Sequence, residues 1–216
     1  MISSQIGSLD KIFSGGLQNG IITEISGLRG TGKTQLALQF AIEPLINNKK
    51  ILFVDTTVEF RPERFLQMLQ SRNLSTSILE NLHVSRITDT QKQIEILKSI
   101  EKDNFSLLII DNITDLFSFE YSKKEQSFEK HLAFMKYMQN LASVAINTKI
   151  PIVVTNIIRS FNEHEQENLE KSIGMFTHVK IKLKKNTGGF LCQVVSPFIN
   201  KKFQYNVTPN GLIDES

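Results

Sequence analysis

Cysteine occurs once in the 216 residues and histidine four times. The lone Cys192 rules out an internal disulfide, and the scattered histidines offer no metal-ligand cluster of the usual spacing. Within "FLCQVV", Cys192 reads as a small buried hydrophobe. No apolar run approaches the roughly 18–20 residues of a spanning helix, and "MISSQIGSLDK" lacks the basic-then-apolar pattern of a signal peptide. The expectation is a cytoplasmic protein with no membrane partner. Internal repeats, low-complexity tracts and proline-rich linkers are missing too, so nothing marks a second domain. A chain of this length suits one substantial core, and residues 1–216 are expected to form a single domain. Excess charge is likewise lacking: the net charge of +3 is too small to imply a polyanionic partner, so any nucleic-acid argument rests on local clusters.

What is present is ordinary globular composition, with 40% hydrophobic and 22% charged residues arguing against disorder. The pattern along the chain alternates between strands and helices. "GIITEIS", "KKILFVDTT", "LHVSRI", "FSLLIIDNI" and "IPIVVTNI" are short apolar runs of the kind that both faces of a parallel sheet bury. Between them lie helical segments: Gln35 to about Ile46, "RPERFLQMLQSR", "DTQKQIEILKSIEKD" and "SFEKHLAFMKYMQNLASVAINT". The last has Leu132, Met135, Met138, Leu141 and Ala145 on one stripe, which predicts its core face. Then the pattern changes. "THVKIKLKK", "GFLCQVVS" and "KFQYNVT" are short strands separated by turn residues and predict an antiparallel meander. "RSFNEHEQENLEKS" is polar, lacks strand character and is predicted to be a mobile loop.

The stretch Gly27-Leu28-Arg29-Gly30-Thr31-Gly32-Lys33-Thr34 has the G-x-x-x-x-G-K-[ST] spacing, with a strand entering and a helix leaving. Glycines let backbone amides curl around phosphate oxygens, and the helix N-terminus adds its positive dipole end. Lys33 then reaches the β/γ-phosphates and Thr34 is a ligand for Mg2+. The prediction is a nucleoside triphosphate site. Downstream, an acid at the end of a buried strand should help to hold the metal. Asp111, closing "SLLIID", fits, whereas Asp115 lies beyond the strand.

Several segments together resemble a known family: "GSLDKIFSGGLQNGIITEISGLRGTGKTQLALQFA", "ILFVDTTVEFRPERFLQML", "SLLIIDNITDLF" and "IPIVVTNIIRS". They look like the archaeal and eukaryotic branch of RecA-type recombinases, and the ending "SIGMFTHVKIKLKK" with "GLIDES" is most similar to the short archaeal paralogues of that branch. The segment Phe60 to Arg64, "FRPER", separates this branch from KaiC-like and helicase relatives. The resemblance implies an α/β fold with a RecA-like P-loop ATPase core, a mostly parallel sheet flanked by helices, and an antiparallel C-terminal meander. It implies ATP and Mg2+ as cofactors and an accessory or mediator role in homologous recombination and DNA repair. The implied partners are the main recombinase or another paralogue, and single-stranded or branched DNA. Two alternatives stand beside this one: an active KaiC-like or helicase-like ATPase, and a structural subunit of a paralogue complex. Only about twenty residues precede the first core strand, so the N-terminal DNA-binding domain and docking linker of the full recombinases have no counterpart in this sequence. Long filaments are therefore not expected, while a dimer is left open.

Residue by residue, the chain departs from the family in two places. Asp55 and Thr56 match, but Thr57 takes the position of the glutamate that orients the attacking water, and Val58 that of a glycine. A hydroxyl can hold a water but cannot accept its proton as a carboxylate can. Glu59, two residues on, would reach the same face if the backbone stayed extended, and it is the candidate substitute; the other reading is a solvated glutamate. Ile157 replaces the glutamine that senses the γ-phosphate and cannot hydrogen-bond to it. Weak or absent hydrolysis follows. Arg64 is a candidate contact for the adenine face, or else an exposed helix arginine.

For DNA, the segment Arg159 to Ser172 is in the family's position but carries Glu163, Glu165, Glu167 and Glu170 against Arg159 and Lys171. Phe161 is its one aromatic. Lys180, Lys182 and Lys184 alternate along one strand, either to track phosphates or to guard an exposed edge. Lys201 and Lys202 are expected at the other end of the sheet from Lys185.

Overall fold

A computed structural model describes residues 1–161, 164–196 and 199–215. The chain opens with α1 (Gly7–Ile12) and continues through β1 (Ile22–Gly27), α2 (Lys33–Ile46), β2 (Ile51–Asp55), α3 (Pro62–Gln70) and β3 (Leu82–Arg86). Helices α4 (Thr90–Glu95) and α5 (Leu97–Asp103) lead to β4 (Leu107–Asp111), and α6 (Asp115–Glu120) and α7 (Ser127–Thr148) to β5 (Ile152–Phe161). Then follow β6 (His164–Glu167), α8 (Glu170–Gly174), β7 (Val179–Asn186), β8 (Gly189–Ser196), β9 (Ile199–Thr208) and β10 (Gly211–Asp214).

The strands lie side by side in the order β10-β9-β8-β7-β1-β5-β4-β2-β3. From β7 through β3 every neighbour is parallel, whereas β8, β9 and β10 are antiparallel. This is the expected α/β arrangement. Successive side chains alternate faces, so Phe53, Ile109 and Val153 pack under α2 and α3 with Phe40, Phe65 and Met68. Leu52, Leu108 and Val154 face the other way, onto Phe134, Tyr137, Met138 and Leu141 of α7. With both faces covered, β1, β2 and β4 are buried at every position, which is why their sequences are unbroken apolar runs. Each fully buried large side chain contributes about 1.5–3 kcal/mol.

Four local expectations change. Helix α7 buries Met138, Leu141 and Ala145 as expected but changes the start of its stripe: Leu132 is 62% exposed, while Phe134 and Tyr137 reach Phe117 at centroid distances of 5.1 and 5.4 Å. The segment "DTQKQIEILKSIEKD" is two short helices that meet at Ile96. The loop predicted from Arg159 is a hairpin, because β5 runs on to Phe161 and pairs with β6 from Ile158↔Glu167 to Phe161↔His164. Backbone pairing there outweighs the polar composition. The turn with Glu163 and the side chains of Phe161 and Glu165 lie outside the described residues. Finally, the lysine strand β7 is no edge, since it lies between β1 and β8.

Candidate nucleotide-binding site

The carboxyl ends of β1, β2, β4 and β5 converge on one open cavity of about 900 Å³. Gly27 ends β1 where no side chain could stand: a Cβ there would meet the Leu183 carbonyl oxygen at 2.4 Å and the Thr31 hydroxyl at 2.7 Å. Gly30 and Gly32 take the left-handed region, at φ of 81° and 91°, and turn the loop into α2. The C-terminal strands brace it from behind. Tyr205 donates its hydroxyl to the Thr31 carbonyl at 2.7 Å, and the Leu212 side chain lies against Gly32. Gln39 of α2 pairs with the Leu212 backbone in both directions at 2.9 Å. Thr31 donates to the Leu28 carbonyl at 2.9 Å, closing the loop on itself.

Lys33 is the first residue of α2, and its ammonium donates to the Gly27 and Leu28 carbonyls at 3.0 Å each. Burial lowers its pKa, opposed by Asp111, Asp115 and Glu59 in that order. Beside it, Thr34 donates to Asp111 Oδ2 at 2.6 Å, and Thr155 donates to Oδ1. Burial pushes the Asp111 carboxyl above its ordinary pKa against those two hydrogen bonds. A buried carboxylate one hydrogen bond from the P-loop hydroxyl is a hard oxygen pair of the kind Mg2+ takes together with phosphate oxygens. The residues present therefore fit this cation. A cage of three or more acid, histidine or cysteine ligands is absent among the described residues.

The loop after β2 does not stay extended. Asp55 accepts from the Thr57 amide and hydroxyl at 3.1 Å through one carboxylate oxygen and from the Phe60 amide at 3.1 Å through the other. The chain curls around this carboxylate and places Val58 at φ 58°. Glu59 is thereby turned out to the cavity mouth, where it pairs with Arg29 of the P-loop at 2.9 Å, and both side chains are largely exposed. Arg64 also borders the cavity, but its guanidinium is held by the Thr208 and Pro209 carbonyls of the β9–β10 turn. Ile157 lies on the wall.

Two charged residues that sequence reasoning did not assign to this site, Asp115 having been set aside as beyond its strand and Arg159 read with the DNA segment, share this wall, Asp115 at the start of α6 and Arg159 of β5, 3.9 Å apart. No spacing in the sequence signals them, because their meeting depends on how β4 and β5 pair. A second missed cluster lies below. Asn156 donates to Glu24 at 3.2 Å and to Glu167 at 3.1 Å, and Lys180 donates to Glu167 at 2.6 Å. Burial first, then Glu167, pushes Glu24 well above the usual carboxylate range. Burial alone would lower Lys180, but Glu24, Glu167 and Glu170 hold it above its ordinary value. Lys182 reaches Glu170 at 3.4 Å. Lys180 is thus an internal counter-ion, and Lys182 is partly neutralised. Lys202 stands opposite Gln193, which stands opposite Lys182, so it shares the row of Lys182 two strands away. Cys192 is buried, and burial pushes its thiol up to about 12.

A glycine-shaped loop entering a helix, with an acid at the end of a parallel strand that is separated from the loop's own strand by β5, defines a P-loop fold of the RecA type. The chain belongs to the Rad51 family, whose model matches residues 1–215. It is similar to the DNA repair and recombination protein RadB of Pyrococcus furiosus, 29% identical over 188 residues that span 84% of this chain and 82% of the relative. RadB of Thermococcus kodakarensis is 31% identical over 180 residues, 81% and 79% of the two chains. RadB of Thermoplasma volcanium is 34% identical over 155 residues, 71% and 64%. Among the described residues, no helix is long and apolar enough to cross a membrane.

Proposed function

We propose that this chain binds ATP with Mg2+ in the cavity and acts, like the RadB proteins it resembles, as an accessory of DNA recombination and repair with slow hydrolysis. The observation that carries the nucleotide reading is the Thr34–Asp111 pair beside the Lys33 ammonium. The loop amides and the start of α2 bind phosphate oxygens, and Lys33 neutralises charge on the β- and γ-phosphates. Thr34 and Asp111 would hold the Mg2+, which supplies charge neutralisation at the phosphate oxygens. The names of the relatives support the recombination role. Single-stranded or branched DNA and a recombinase are the partners this role implies.

Slow turnover follows from the curled loop. The Thr57 hydroxyl is spent on Asp55, and Glu59 is bound to Arg29, so β2 brings no free carboxylate to an attacking water. Thermal unfolding with and without Mg·ATP tests the binding. At a hundredfold excess over Kd the ligand adds about 2.7 kcal/mol, equivalent to roughly 5–10 °C in Tm for a chain of this size. Lys33→Ala should lose that shift; an equal shift in the variant places the nucleotide elsewhere.

A further inference from the structure

The acid that β2 lacks has a neighbour in the same cavity. Asp115 projects from the start of α6 into the wall that holds Lys33, Thr57 and Glu59. Its Oδ1 is buried and accepts no hydrogen bond among the described residues. Of the acids acting on the Lys33 ammonium, Asp115 ranks behind Asp111 and ahead of Glu59. Asp111 is committed to Thr34 and Thr155, and Glu59 to Arg29, whereas the Asp115 side chain, 29% exposed on the cavity wall, has no ion-pair partner nearer than Arg159 among the described residues. Arg159 stands 3.9 Å from that same Oδ1, two residues along β5 from Ile157. The chain with Thr57 after β2 and Ile157 in β5 thus carries an acid and a cation at two other points of the same wall.

We propose that Asp115 is the residue that orients and deprotonates the attacking water in this protein, with Arg159 as the residue that positions it. The inference rests on the nucleotide reading above. The water held by Asp115 forms a bond from its oxygen to the γ-phosphorus while the bond from that phosphorus to the β,γ-bridging oxygen breaks. ADP departs with the bonding pair, one water proton passes to the Asp115 carboxylate and then to solvent, and inorganic phosphate is released. Burial raises the Asp115 pKa, as does Glu59, while Arg159 and Lys33 lower it. A base so placed loses activity as pH falls through its pKa. Because Arg159 lies within the β5–β6 pairing, opposite Gln166, a ligand that moves the hairpin also moves the carboxylate's partner.

The test combines steady-state ATP hydrolysis across pH with equilibrium binding of a fluorescent ATP analogue, on the full chain and its variants. Asp115→Asn should cut turnover at least tenfold, within the ~10²–10⁴ range of a positioned base, while nucleotide affinity stays within about threefold. Asp115→Glu should keep the acid limb of the pH profile, and Arg159→Ala should move that limb to higher pH by removing the cation that favours the ionised form. Glu59→Gln should leave turnover within about threefold. Wild-type turnover in Asp115→Asn, loss of turnover in Glu59→Gln, or a wild-type chain that binds ATP without hydrolysing it overturns the assignment. A wild-type chain that binds no analogue at all removes the nucleotide reading as well, and the binding arm tells the two failures apart.

Discussion

Val58 is a β-branched residue at φ 58° with 49% of its surface exposed. Backbone of this kind costs an L-residue roughly 1–2 kcal/mol and costs glycine almost nothing. The fold keeps the turn because Asp55 holds three donors of the same loop. Val58→Gly should therefore raise stability by about 1 kcal/mol, after the greater freedom of the unfolded glycine is subtracted. Chemical denaturation of the two proteins checks this, and a loss of stability would show that Val58 packs against something. At this scale the strand–loop–helix shape of Gly27 to Thr34 was legible, since these residues are consecutive and their geometry is local. Glu59 was readable as a candidate but not in its position, because the expectation of an extended chain took no account of the Asp55 carboxylate. Asp115 was set aside for lying beyond its strand, and that one-residue-scale criterion ignores where α6 starts.

At the scale of elements, β7 shows how position in the sheet decides what a charge does. An alternating lysine strand reads as an edge, yet β7 pairs with β1 on one side and β8 on the other. The Lys180 side chain is only 15% exposed and meets Glu24, Glu167 and Glu170. Removing one partner from a buried ionic cluster leaves the others unpaired, so Lys180→Met should destabilise the fold near the lower end of the ~3–5 kcal/mol range. The same change at Lys184, which has no acid partner among the described ion pairs, should stay within about 0.5 kcal/mol. A comparable loss in both variants, measured by denaturant unfolding, would contradict the internal-counter-ion role. The parallel strands were legible because burial on both faces leaves an apolar run. The β5–β6 hairpin was not, because its pairing comes from backbone hydrogen bonds that polar side chains do not advertise. The α7 stripe was misread only at its start, since Leu132 and Phe134 fit helical spacing equally well and the position of Phe117 selects between them, whereas Met138, Leu141 and Ala145 are buried as expected.

For the whole molecule, one sheet carries both the site and its support. The parallel half places the P-loop, Asp111 and Asp115 at one end of the strands, where ligands of open α/β sheets bind. The antiparallel half returns β9 and β10 to brace that loop through Tyr205 and Leu212. The meander was legible from its turn residues, but its docking onto α2 through Gln39 joins positions 173 residues apart and leaves no local mark. The account's central claim is that Mg2+ and ATP share the Thr34–Asp111 pair. Calorimetric titration of ATP into the chain, in Mg2+ and in chelator, for the natural protein and Asp111→Asn, tests it most directly. The account predicts one site per chain, tighter in Mg2+ by at least tenfold, with that Mg2+ dependence largely lost in Asp111→Asn. An affinity equal in Mg2+ and chelator, or a Mg2+ dependence unchanged by Asp111→Asn, would contradict it.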